Sequence, residues 1–190
     1  MDETHDGGAA AASDNPLWGF ACAVYAARGV ADACLALQDR EGLDVNLLLF
    51  CCWAGRHGHT LTTAQLESLD AAIRPWQREV TQALRRARTW LKTEGDGSAE
   101  VTELRAAIKH AELDAERLAQ AKLWWTLPLA PGEPDIGAMV ANIQAYFGLL
   151  GRTPGPLDTA DLVTVVLASL PQAVRALDLV RRFEDGHRSI

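Results

Sequence analysis

The chain has 190 residues, of which 48% are apolar and 23% charged, and carries a net charge of −7. Those values suit one globular domain, or one domain with an appendage, with enough apolar material for a core without disulfide staples. The acidic balance argues against a global electrostatic grip on nucleic acid, and the longest apolar stretch, Val45 to Ala54, falls far short of the ~20 residues that span a bilayer.

Residues 1–14 are small, polar and acidic, and lack the basic start and apolar middle of a signal peptide. They read as a disordered tail, and with no membrane segment after them the expected location is the cytoplasm. Asn15 and Pro16 predict a helix start, with Asn as cap and Pro in the first turn. Leu17, Phe20, Ala21 and Val24 follow at helical spacing, and Arg28-Gly29 ends the run. A second helix is expected from Val30 to Glu41, stopped by Gly42. Asp44 then caps a third, from Val45 to about Gly55, which is apolar nearly all the way round. A short helix without a polar face belongs in the middle of a helical protein.

Thr62 or Thr63 opens a short helix to about Ala72. Pro75 either breaks the chain there or sits in the first turn of a long helix running to Lys92. Thr93 to Ser98 is a turn, and Ser98 caps another long helix to Trp124, so these two should form an antiparallel hairpin. Three prolines between Leu127 and Pro134 mark the best boundary. Beyond it, helices are expected from Ile136 to Leu150 and from Thr159 to Phe183, with Pro171 kinking or restarting the latter. No strand-like alternation appears. The reading is all-α: a compact multi-helix bundle over 15–126 around a central buried helix, then a linker and helical C-terminal extension over 127–190.

Several residues could carry chemistry. In the helix after Pro75, Trp76, Val80, Leu84, Ala87 and Leu91 form an apolar stripe, while Arg74, Arg78, Arg85, Arg88 and Lys92 form a basic one. Guanidinium groups in a row can clamp phosphate or carboxylate, but Glu112 and Glu116 on the facing helix could neutralise them internally. Gln38, Asp44 and Asn46 are polar residues inside an apolar zone, and buried amides must be hydrogen-bonded. They either lock the turn at Gly42 or, with Arg85 and Arg88, line a small pocket for an anionic ligand. Cys22, Cys34, Cys51 and Cys52 fall in apolar helical runs and read as small reduced hydrophobes. The pair His57 and His59 lacks a third ligand, so neither a metal nor another cofactor is expected. Trp18, Trp53, Trp76 and Trp90 are expected in the core or at its edge. The adjacent Trp124 and Trp125 cannot both face inward, which makes them a candidate partner surface.

The stretch Asn15-Pro16-Leu17-Trp18, then Leu35 to Asp39, Gly42 to Leu49, Trp53 and the Trp76…Arg85…Arg88 helix resembles a family of uncharacterised bacterial proteins catalogued as a domain of unknown function. The similarity covers roughly Asn15 to Ala121, and the segment after Leu127 departs from it. The resemblance implies a small soluble helical protein of bacterial origin and brings no activity, cofactor or catalytic residue. The expected function is a cytoplasmic binding or adaptor protein, non-enzymatic, acting on a protein partner or a second copy of itself. The alternative is a protein or enzyme that takes a small anionic ligand between its helices.

Overall fold

A computed structural model describes residues 15–170 and 176–185, and every regular element among them is helical. The tail expected over 1–14 and the break expected at Pro171 lie outside the described residues. The elements are α1 (Pro16–Tyr25), α2 (Val30–Glu41), α3 (Val45–Arg56), α4 (Thr63–Trp76), a π turn (Gln77–Thr81), α5 (Gln82–Thr93), α6 (Ala99–Thr126), α7 (Ile136–Leu149), α8 (Pro156–Ser169) and α9 (Ala176–Asp185).

Local chemistry sets most of these boundaries. The Asn15 side chain accepts from the backbone N–H of Leu17, with Pro16 in the first turn of α1. Gly42 ends α2 at φ +71°, a conformation glycine adopts without steric cost. Asp44 caps α3 by accepting from the N–H groups of Asn46 and Leu47. Thr62 and Gln65 form a reciprocal capping box at α4. Ser98 and Asp135 cap α6 and α7 by accepting from the N–H groups of Val101 and Ala138.

Helix α3 is the centre. Every residue from Asn46 to Gly55 is buried, and Leu47, Leu48 and Phe50 are fully enclosed. It touches α1, α2, α6, α7 and α8, with its largest interface on α7. The helices after Leu127 therefore line the same core as those before it. Met139, Ile143 and Phe147 of α7, Val165 of α8 and Phe183 of α9 belong to one cluster with Leu17, Phe50 and Leu123. Asn142, fully buried on α7, fastens this packing: it accepts from Leu61 N–H at 2.7 Å and donates to the carbonyls of His59 and Cys51 at 2.8 and 3.3 Å. Arg40 of α2 adds a charged clasp to α8 through Asp158 and Asp161, at 2.6 and 2.7 Å.

Three expectations need correction. Pro75 separates nothing: α4 runs through it and on through the π turn into α5, giving one rod from Thr63 to Thr93. Proline removes one N–H and crowds the carbonyl four residues back, and the wider π turn that follows takes up the misfit. Trp90 is no core residue, being 59% exposed, and α5 buries no side chain fully. The α5–α6 hairpin projects past the core, so its apolar stripe meets only α6 and solvent. Cys22 is likewise exposed, whereas Cys34, Cys51 and Cys52 are buried; all four are free thiols. Burial pushes the Cys34 and Cys52 thiols up to about 12, which leaves them inert.

The tight α3–α7 crossing rests on Gly55, where an added Cβ would overlap the backbone of Met139. Gly55→Ala should lower the free energy of unfolding in urea by about 2–3 kcal/mol, since backbone rather than a side-chain tip must move. Gly148→Ala, where nothing lies within 4 Å, should be neutral or slightly stabilising.

Candidate functional site

A cleft of about 1940 Å³ runs between α1 and α2 on one side and the α4–α5 rod with α6 on the other. The start of α3 forms its floor, with Tyr146 of α7 beneath. Its upper walls are apolar and wet: Tyr25 is 39%, Leu35 45%, Leu113 55% and Trp90 59% exposed. Its floor is polar and mostly buried: Asn46, Gln120 and Glu112 are buried, while Asp44, Arg85, Arg88 and Glu116 keep part of their surface open to the cleft.

The five residues singled out from the sequence as pocket-lining, Gln38, Asp44, Asn46, Arg85 and Arg88, all line this cleft. One network joins them. Arg85 donates to Gln38 Oε1 at 3.1 Å, to Glu112 Oε1 at 3.0 Å and to Glu116 Oε1 at 2.9 Å. Arg88 donates to both oxygens of Glu112. Asn46 donates to Glu116 through Nδ2, and Gln120 donates to Asn46 Oδ1 at 3.0 Å. Asp44 Oδ1 accepts from Asn46 N–H at 2.8 Å, and Asp44 N–H donates to the Tyr146 hydroxyl at 2.7 Å. The arginines thus meet acids of their own chain. The rest of the basic stripe is neutralised in the same manner at its start, where Arg74 pairs with Asp70 and Arg78 with Glu79.

Electrostatics divide the carboxylates. Burial pushes Glu112 up, but hydrogen bonds and charge from Arg88 and Arg85 outweigh it and hold the group below its ordinary value. Asp44 goes the other way: burial and the Glu116 charge raise it to about 6, against the opposing pull of the Leu47 and Asn46 N–H groups. A carboxyl so raised marks a candidate functional position, because a cleft carboxylate without a cation beside it is primed to change its proton or its partner.

Sequence reasoning missed two members. Gln120 extends the row of Glu112 and Glu116 by one more turn of α6, a spacing that was visible. Tyr146 carries the one hydroxyl on α7, and a buried phenol needs a partner. Trp124 and Trp125 lie elsewhere. The Trp124 ring packs against Trp53 with centroids 6.1 Å apart, while Trp125 is 62% exposed and does not line the cleft. His59 Nε2 lies 2.8 Å from the Ala130 carbonyl oxygen, so it ties the 127–135 loop to the end of α3. Among the described residues no group of three or more His, Cys, Asp or Glu side chains could hold a metal ion, and no single helix is long and apolar enough to cross a membrane.

Two variants check this arrangement. Asp44→Asn keeps a competent cap and removes the buried charge. The folded group titrates near 6 and the unfolded one near 3.8, so ionisation above the folded value costs stability that is regained below the unfolded one. The thermal midpoint of Asp44→Asn should exceed that of the parent by a few degrees at pH 8 and match it at about pH 4. Arg85→Met should destabilise by roughly 1–3 kcal/mol in urea unfolding, because Glu112 and Glu116 lose a shared donor, and adding Glu116→Gln should restore part of the loss.

No curated protein and no solved structure matches the chain. A family model described as a protein of unknown function (DUF2390) matches residues 16–123, which takes in α1 to α5, most of α6 and every floor residue except Tyr146. That match spans more than half of the chain, and the protein belongs to this family.

Proposed function

We propose that the protein is a cytoplasmic binding or adaptor protein, without catalysis of its own, that docks a segment of a protein partner in the cleft. The observation that carries this reading is the contrast between apolar, water-exposed walls and a mostly buried polar floor. Sites for small molecules enclose ~300–1,000 Å³ and bury most of their ligand, whereas this cleft is larger, open along its length, and edged by aromatic and leucine side chains of the kind that anchor helices in grooves. Arginine and lysine at its edge, Arg86 and Lys109, are exposed and add electrostatic steering.

The anionic-ligand alternative has less support. An anion bound by Arg85 or Arg88 would have to displace Glu112 and Glu116, which already occupy their donors. Trp125 offers a second contact on the far side of α6, suited to a second copy of the chain or another partner.

Site-specific photocross-linking tests the reading. A benzoylphenylalanine at Leu35 or Leu113 should give a discrete adduct with a protein in cells, weakened several-fold by Trp90→Ser. The same group at exposed Glu100 should give none. Equal labelling from all three positions, or none from either cleft position, would remove the proposal.

A further inference from the structure

Charges in the floor do not cancel. The hydrogen-bonded network of the floor joins three carboxylates, Asp44, Glu112 and Glu116, to two guanidiniums, Arg85 and Arg88. Both guanidiniums are engaged by Glu112 and Glu116, and Asp44 enters no ion pair among the described residues. Its Oδ1 is taken up by the cap to α3.

An independent observation lies beside it. Gln120 is 3% exposed, and its Oε1 is buried without a hydrogen-bond partner. Rotating the amide would not relieve this. A carboxylate only accepts, so Glu116 obliges Asn46 to present its NH₂ group; Asn46 therefore presents its oxygen to Gln120, which must present its own NH₂ in return. The chain of amides ends in an acceptor, Gln120 Oε1, that has no hydrogen-bond partner among the described residues. The floor network thus holds one carboxylate outside any ion pair among the described residues and one buried amide oxygen without a hydrogen-bond partner.

We propose that the floor holds a cationic side chain, a lysine ammonium or an arginine guanidinium, belonging to the segment that docks in the cleft. This rests on the protein-docking reading above. An ammonium supplies donors for Asp44, Glu116 and Gln120 Oε1 together, and its aliphatic stem lies along the walls formed by Leu35 and Leu113. The raised pKa of Asp44 agrees: the burial and the Glu116 charge that disfavour its ionised form are what an incoming cation would offset. Exposed Arg86 and Lys109 at the edge favour acidic residues elsewhere in the same segment.

Binding of three probes of equal chain length, n-octylammonium, n-octanol and octanoate, measured by calorimetry on the full chain below their micellar concentrations, tests the assignment. Octylammonium should bind at least tenfold more tightly than octanol, and octanoate most weakly. Asp44→Asn, which keeps the cap, and Gln120→Met should each erase the ammonium preference while leaving octanol binding within twofold; circular dichroism checks that both remain folded. Octanoate binding as well as octylammonium, no ammonium binding, or a preference that survives both substitutions would overturn the anchor. Cross-linking from Leu35 and Leu113 without an ammonium preference would leave docking standing and remove the anchor alone. An ammonium preference without any cross-link would remove the docked segment, and the side-chain anchor with it.

Discussion

The architecture depends on one constraint: α3 is buried on all sides, yet it begins with polar residues. Ten consecutive residues, Asn46 to Gly55, are removed from water. A helix with no wet face needs neighbours all around it, and α1, α2, α6, α7 and α8 supply them. Its first turn brings in free N–H groups and the Asn46 amide, which are costly to bury unpaired. Asp44 satisfies the first, and Glu116 with Gln120 the second. The polar floor of the cleft is therefore a structural consequence of enclosing this helix.

That origin explains why the α5–α6 hairpin is held where it is. Arg85 reaches Gln38 on α2 and two glutamates on α6, so a single guanidinium fixes the rod against the hairpin partner and against the opposite wall. Buried and half-buried ion pairs gain little net stability once desolvation is counted, but their directional forks tolerate few alternative geometries. The network sets the separation of the walls. Above it the hairpin has no apolar filling between it and α1–α2, and the space stays open.

Much of this was legible in the chain. Asn15-Pro16, Gly42, Asp44 and Ser98 mark helix ends through local hydrogen bonding, which depends on neighbours in sequence alone. Gln38, Asp44, Asn46, Arg85 and Arg88 could be grouped because each sits out of pattern in an apolar or charged context. What escaped depends on distant neighbours. Pro75 looked like a break, and whether a proline ends a helix or is absorbed by a π turn depends on what holds the two halves in line. Trp90 was expected at the core because it is a large apolar ring, but such a ring is buried only if another element reaches it. Asn142 and Tyr146 stand out as polar groups on α7, but nothing local names their partners; each is spent on a backbone more than eighty residues away.

The division between scaffold and site follows from the same hydrogen-bond accounting. The side-chain amide of Asn46 and all three nitrogens of Arg85 have partners in their own chain, so those groups are occupied by holding the fold. A network of this kind exposes its unfinished business only at its ends. One end is Gln120 Oε1, and the other is the carboxylate of Asp44, whose second oxygen is not needed to cap α3. Both ends are acceptors because the network is anchored on carboxylates and the amides relay that polarity outward. Had the row on α6 been built from arginine and the stripe on α5 from glutamate, the same helices would have left a donor at the surface of the floor and a site of opposite preference.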